Sequence, residues 1–265
     1  MAKQKRRSEL RFVNLFDAHY GHERTGGHLK PLHDQAAIDA ALKFSADFKP
    51  DILTFGGDMA DCGAISHWKD NKQRQNEGVK LRRDFEGLKT NLLAPAAATI
   101  AKGGLLRYHL GNHCQWLEDY VDANPALEGL IDLDSMLGLT VSGWEIIPLG
   151  GASKLGKLYI VHGDQIKGGV NVAKRAVDLY QRNIHFGHHH TFALATNVAP
   201  LDEKPKQGVA VPCLCKLNPG YAKNAPNRWL QGCEYGWIEP NGNFHYHVVQ
   251  IIGGQFHAEG RLYKV

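Results

Sequence analysis

Five times in this chain a short apolar run stops at aspartate, asparagine or histidine, and those five endings restrict its fold more than any other feature. Residues 10–16 stop at Asp17-Ala18-His19, and residues 51–55 stop at Gly56-Gly57-Asp58-Met59-Ala60-Asp61. Residues 105–110 lead into Gly111-Asn112-His113, residues 157–161 into His162-Gly163-Asp164, and residues 183–186 into Gly187-His188-His189-His190. Short runs of this composition, bounded by glycine, read as strands. Helical spacing separates several of them. Ile38, Ala41, Leu42 and Ser45 mark a helix over 33–48 that Pro50 ends, and Leu81, Phe85, Leu88 and Leu92 mark a second. Val172, Ala173, Ala176, Val177 and Tyr180 mark a third, over 170–180. Strands alternating with helices predict an α/β fold, in which the carboxyl ends of strands open onto one crevice.

Taken singly, each ending has a bland reading, since an aspartate in a glycine-rich turn commonly caps only that turn. Jointly they offer one chemistry. Asp17 and His19 point to one side of an extended backbone, as do His188 and His190. Gly111 allows a turn free of Cβ restraint that sets a carboxamide beside an imidazole. The Asn112 oxygen suits a divalent cation, and the His113 imidazole can give up a proton. Asp17, His19, Asp58, Asn112, His162, His188 and His190 make seven candidate ligands, too many for one tetrahedral zinc and suited to two ions sharing a carboxylate.

This order of motifs resembles that of the calcineurin-like metallophosphoesterases. Their pattern of Asp-x-His, Gly-Asp-x-x-Asp, Gly-Asn-His, His and Gly-His-x-His stands here as Asp17-Ala18-His19, Gly57 to Asp61, Gly111-Asn112-His113, His162 and Gly187 to His190. The resemblance implies two packed mixed β-sheets flanked by helices, an αββα sandwich. It implies one metal on Asp17, His19, Asp58 and His190 and a second on Asp58, Asn112, His162 and His188, with Asp58 bridging. The ions would be divalent Mn, Fe, Zn, Ni or Co, with Mn favoured. Hydroxide held between them would attack phosphorus in line, His113 would protonate the departing alkoxide, and Asp61 would orient His113. Two departures narrow the substrate: Cys62 stands where Ser/Thr protein phosphatases carry Arg, and is not the metal-binding Tyr of purple acid phosphatases. Cys114 replaces the acidic residue common after Gly-Asn-His, and the run Gly111 to Glu118 is similar to that of small bacteriophage-encoded phosphoesterases.

Length and composition fit a single domain over 1–265, with a basic tail over 1–8 and a helical insertion over 63–104. No apolar run approaches a membrane span, and the tail has no apolar segment behind it to form a secretory signal. Five scattered cysteines fit reduced thiols in a cytoplasm, with Cys213 and Cys215 alternating on a strand over 209–217 as core. Residues 21–31 read as a loop whose His22, Arg24, His28 and Lys30 are available to an anion; His67 and Trp68 read as packing residues close to Asp58. Lys80, Arg82, Arg83 and Lys89 read as a solvated helix face, and Asn241-Gly242 as a hairpin turn between 234–239 and 244–252.

The net charge of +4 permits a phosphate-bearing partner. The expected function is hydrolysis of phosphate esters, phosphodiesters of nucleotide or nucleic-acid type ahead of monoesters. The competing readings are a phosphomonoesterase, a binding scaffold that has lost its chemistry, and a hydrolase using Cys114 as nucleophile.

Overall fold

A computed structural model describes residues 9–67, 73–198, 204–222 and 225–265. The basic tail and Trp68 lie outside them. The first half of the chain contains β1 (Leu10–Leu15), β2 (His22–Thr25), β3 (His28–Pro31), α1 (Gln35–Phe48), β4 (Ile52–Phe55), α2 (Gln73–Asn76), α3 (Leu81–Leu88), α4 (Ala94–Thr99), β5 (Leu105–His109) and α5 (Asn112–Ala123). The chain continues through α6 (Leu133–Leu137), β6 (Trp144–Ile147), β7 (Ser153–Leu155), β8 (Leu158–Val161), α7 (Val172–Tyr180), β9 (Asn183–Phe186), β10 (Ala193–Val198) and β11 (Pro205–Ala210). Four strands close it: β12 (Gly232–Ile238), β13 (Phe244–Gln250), β14 (Gln255–Ala258) and β15 (Arg261–Lys264).

Two mixed sheets carry the structure. One runs β13-β12-β1-β4-β5-β6 and the other β10-β11-β9-β8-β7. Phe12 and Phe16 from the first sheet meet Leu158, Ile160, Val209 and Val211 from the second in a buried cluster, so the sheets face each other. Outside the first sheet, α1, α3, α4 and α5 bury Ile38, Phe44, Phe85, Leu88, Ala96 and Leu117 against Leu53, Phe55 and Tyr108. Outside the second, α7 lays Val172 and Ala176 on Ile184 and Phe186. The mixed α/β architecture expected from the strand and helix spacing is therefore present, in the order helix, sheet, sheet, helix.

Local chemistry sets the boundaries. Asp34 caps α1 by accepting from the Ala37 N–H at 3.2 Å, and Lys49, in the left-handed region, closes it by donating to the Ser45 carbonyl at 2.8 Å. Pro50 then prevents any continuation. Strands β1, β4, β5 and β6 are mutually parallel, as are β8 and β9, so their carboxyl ends gather at one end of the sandwich.

Several expectations need correction. Residues 21–31 form the hairpin β2–β3 rather than a loop, with Gly26-Gly27 as its turn. His22 is engaged by Asp84 at 2.7 Å and Arg24 by Glu77 at 3.4 Å, so neither is free to take an anion. The strand expected over 209–217 ends at Ala210, because Pro212 has no N–H to continue the ladder; Cys213 and Cys215 are buried, but in isolated bridges. Strands β10, β14 and β15 carry too few apolar residues in alternation to stand out in the sequence.

Candidate metal centre

All seven candidate ligands lie just past carboxyl strand ends, and both sheets contribute. Asp17 and His19 follow β1, Asp58 follows β4 and Asn112 follows β5; His162 follows β8, and His188 and His190 follow β9. The turns are tight enough that five ligand-bearing residues take left-handed backbone: Asp17, His19, Asp58, His188 and His190 have φ between 45° and 62°. The expected reason for their convergence, an extended backbone with residues two apart on one side, is therefore wrong. Left-handed residues fold the chain back over the strand end instead.

Two glycines make room. Gly57, at φ +110°, passes so close to His162 that a Cβ would lie 2.1 Å from Nδ1. Gly111 has φ −103°, an ordinary value, and is needed for another reason: a Cβ there would sit 2.0 Å from Asp58 Oδ1 and 2.5 Å from its amide nitrogen. The close approach lets the His113 N–H donate to Asp58 Oδ1 at 3.0 Å, which aims the other carboxylate oxygen into the crevice.

Around Asp58 Oδ2 stand His162 Nε2 at 3.2 Å, His113 Nε2 at 3.9 Å and His19 Nε2 at 4.0 Å. Asn112 Oδ1 is 3.1 Å from His162 Nε2, and the His188 and His162 ring centroids are 5.1 Å apart. On the other flank His19 Nε2 and His190 Nε2 approach to 3.2 Å, and His190 Nε2 is 3.7 Å from Asp17 Oδ1. The outer ring nitrogens find partners: His19 Nδ1 meets Asp61 Oδ1 at 3.2 Å, and His162 Nδ1 meets the Gly56 carbonyl at 3.1 Å. Such partners fix the tautomer that leaves the inner nitrogen's lone pair for a cation.

The donor set fits divalent metal. Asp17 is fully buried and its Oδ1 has no hydrogen-bond partner among the described residues, while its Oδ2 accepts the His188 N–H at 2.8 Å. A buried carboxylate oxygen without a donor is costly unless a cation meets it. Asp17, His19 and Asp58 form one group close enough to share an ion, and Asp58, His162 and His188 another.

Electrostatics point the same way. Burial pushes the Asp58 carboxyl up, but His162, His113 and His19 outweigh it and hold it well below the usual carboxylate range. Burial likewise opposes ionisation of Asp17, which His190 and His162 reverse. Burial disfavours charge on His162, yet Asp58 and Asp17 raise it to about 9, while burial and the neighbouring His162 lower His188 to about 4. Protonated imidazole at His162 balances charge that a cation would otherwise balance.

Asp61 lies against two imidazoles, His19 and His113. Its carboxylate lies nearer His19 Nδ1, at 3.2 Å, than His113 Nδ1, at 3.4 Å, and it also accepts the Gly63 N–H at 3.1 Å. His113 Nδ1–H also donates to the Asp61 backbone carbonyl at 2.7 Å. The residue thus supports two imidazoles at once.

The chain is similar in structure to a metallophosphoesterase from Sphaerobacter thermophilus. That match has 15% sequence identity and a TM-score of 0.42, over 91% of this chain and 88% of the other. The protein TT1561 of Thermus thermophilus matches at 9% identity and a TM-score of 0.34, over 91% of this chain and 99% of its own. No family model and no curated protein matches the sequence.

Three neighbours of the centre went unread in the sequence. Trp116 packs on His113 with ring centroids 3.8 Å apart, Trp229 packs on His190 at 4.3 Å, and Cys215 Sγ lies 3.7 Å from His190 Nδ1. Trp116 had a usable signal, three residues after His113 on one helix; the alternation of Cys213 and Cys215 marked Cys215 only as core, and the segment around Trp229 has no periodicity. His67, whose ring centroid is 6.2 Å from that of Trp116, is exposed.

Proposed function

We propose that this chain is a divalent-metal-dependent phosphoesterase that prefers phosphodiesters of the nucleotide or nucleic-acid type. The observation carrying this reading is the inward aim of the imidazole Nε2 atoms of His19, His162 and His190 at Asp17 and Asp58, each with its outer nitrogen engaged. Asp17, His19, Asp58 and His190 would hold one cation, and Asp58, Asn112, His162 and His188 another, Mn²⁺ being the first to try. When bound, such a pair supplies an activated water at neutral pH and neutralises charge on the phosphoryl oxygens.

The chain's own residues supply the rest. His113 stands beside Asp58 with Nδ1 tied to the Asp61 carbonyl, so Nε2 is the nitrogen that faces the crevice. Burial alone would lower it, but without a metal the Asp58 and Asp61 carboxylates raise it to about 9, which favours the protonated form that a general acid needs. That proton goes from Nε2 to the departing alkoxide oxygen, the usual task of an imidazole general acid. Trp116 covers one face of the His113 ring, limiting the water that competes for the proton.

The missing protein-phosphatase Arg at position 62 and the net charge of +4 support a diester over a phosphoprotein. A Cys114 nucleophile is a poor competitor, because the thiol is buried and burial, reinforced by Asp58, raises it to about 12. The five cysteines are free and buried, in keeping with a reducing compartment such as the cytoplasm, and no helix of the described residues is long and apolar enough to cross a membrane. Assays of Mn²⁺-loaded protein on bis(p-nitrophenyl) phosphate, p-nitrophenyl phosphate and labelled DNA test the reading. A much faster monoester reaction overturns the diester preference, and tight metal binding without hydrolysis of any of the three favours a scaffold.

A further inference from the structure

The segment after β11 passes directly behind the metal-facing turns and carries a thiol that the proposed chemistry does not use. Its backbone is fixed on both sides. The Leu214 N–H donates to the Phe16 and Asp17 carbonyls at 3.1 and 3.2 Å, the Asp34 N–H donates to the Leu214 carbonyl at 3.2 Å, and the Lys216 N–H donates to the Leu32 carbonyl at 2.8 Å. Gln231 Nε2 donates to the Cys215 carbonyl at 2.9 Å. His190 is tied to the same region, since its carbonyl accepts the Leu230 N–H at 2.7 Å, while the Cys213 N–H donates to the Leu230 carbonyl at 3.0 Å. Cys215 Sγ is therefore held where it is, 3.7 Å from His190 Nδ1, and the residue is 3% exposed.

Two nitrogens of one ring point in diverging directions, so a single cation cannot take both. On His190 the inner one, Nε2, faces Asp17 Oδ1, the buried oxygen without a partner, and the outer one faces the thiol. Resting on the functional reading above, we infer that Cys215 is a positioning residue: its sulfur accepts the Nδ1–H of His190, fixes the ring tautomer and orients Nε2 toward the cation, without itself becoming a ligand. His19 receives the same service from the Asp61 carboxylate and His162 from the Gly56 carbonyl. Sulfur is the weakest acceptor of the three. His190 is therefore the least activated of these three imidazoles.

The test compares wild type, Cys215→Ser, Cys215→Ala and, as a control for a nearby buried thiol, Cys213→Ala, by calorimetric titration with Mn²⁺ and by the visible and near-ultraviolet spectrum with Co²⁺. Loss of the acceptor in Cys215→Ala weakens one of the two Mn²⁺ affinities about 10- to 100-fold, as outer-shell losses do. Cys215→Ser, which keeps an acceptor, recovers most of it, and Cys213→Ala leaves it within about twofold. The wild-type Co²⁺ spectrum has no intense sulfur-to-metal charge-transfer band; such a band, lost in Cys215→Ala, makes the sulfur a ligand and overturns the inference. So does unchanged Mn²⁺ affinity in Cys215→Ala. Wild-type protein that binds neither ion sinks the functional reading along with it, whereas a wild type that binds both with an unaffected Cys215→Ala sinks the positioning role alone. Should the alanine variant fail to fold, long-range ¹⁵N correlation spectra of Zn²⁺-loaded wild type still decide, with His190 expected as the Nδ1–H tautomer; the Nε2–H tautomer refutes it.

Discussion

At the residue scale, the centre joins groups that carry protons in one state and lone pairs in the other. His162, raised to about 9 by Asp58 and Asp17 against the cost of burial, must lose its proton before Nε2 can ligate. Between pH 7 and pH 8 the apparent affinity for the ion it holds should therefore rise about tenfold, with close to one proton released per ion. Calorimetry in buffers of different ionisation enthalpy measures that stoichiometry; a pH-independent affinity would contradict the arrangement. His113 is a different case, because in the proposed mechanism its proton is spent in the reaction and not in binding. His113→Ala should lower kcat on a diester by about 10²- to 10⁴-fold while Mn²⁺ affinity stays within a few-fold. The left-handed residues lead to a third expectation. A side chain at φ 62° is disfavoured, so His188→Gly relieves backbone strain while deleting a ligand, and in chelator the variant should melt no lower than wild type, within about 1 kcal/mol.

Elements transmit demands that no single motif displays. Asn14 on β1, Glu234 on β12 and His185 on β9 meet between the sheets, all fully buried: Asn14 Nδ2 donates to Glu234 Oε2 at 2.7 Å and His185 Nδ1 pairs with Glu234 Oε1. This cluster joins the two sheets just below the turns that carry Asp17 and His188. Glu234→Ala leaves a buried imidazole and carboxamide without a partner and should destabilise the protein by about 3–5 kcal/mol, read by urea denaturation. The cluster was not legible in the sequence, because Asn14, His185 and Glu234 are separated by up to 220 positions and each looks like an isolated polar residue in a strand. By contrast, β1, β4, β5, β8 and β9 were legible, because each apolar run ends in glycine, a carboxylate, a carboxamide or an imidazole. Helices α1, α3 and α7 showed themselves by 3.6-residue spacing. The hairpin β2–β3 escaped because His, Glu, Arg and Lys in its strands hide the alternation. The positive φ values escaped because Asp and His, though enriched among left-handed residues, take that conformation only in a small minority of positions.

Across the whole molecule, titration and cation binding both act on stability. Burial, with charge from His22, depresses His33 to about 4, and burial, with charge from His162 and Arg107, depresses His109 to about 3. Each is neutral when folded and takes up a proton on unfolding below its ordinary value near 6.5. The stability they contribute is whole above about pH 6.5 and is lost as pH falls toward 4 and 3. Urea midpoints measured from pH 7 to pH 4 should decline, and His33→Gln should flatten part of that slope. Divalent ions at about 100 times their dissociation constant should add about 2.7 kcal/mol, which a chelator removes. Where that stabilisation is felt follows from Asp17, Asp58 and Asn112 belonging to one sheet and His162, His188 and His190 to the other. A bound ion acts as a rivet through both leaves of the sandwich at one rim. Stripping it should speed amide exchange at Gly57, Gly111 and Gly187 and leave the opposite rim, at Asn183 and the turn before Phe244, as slow as before.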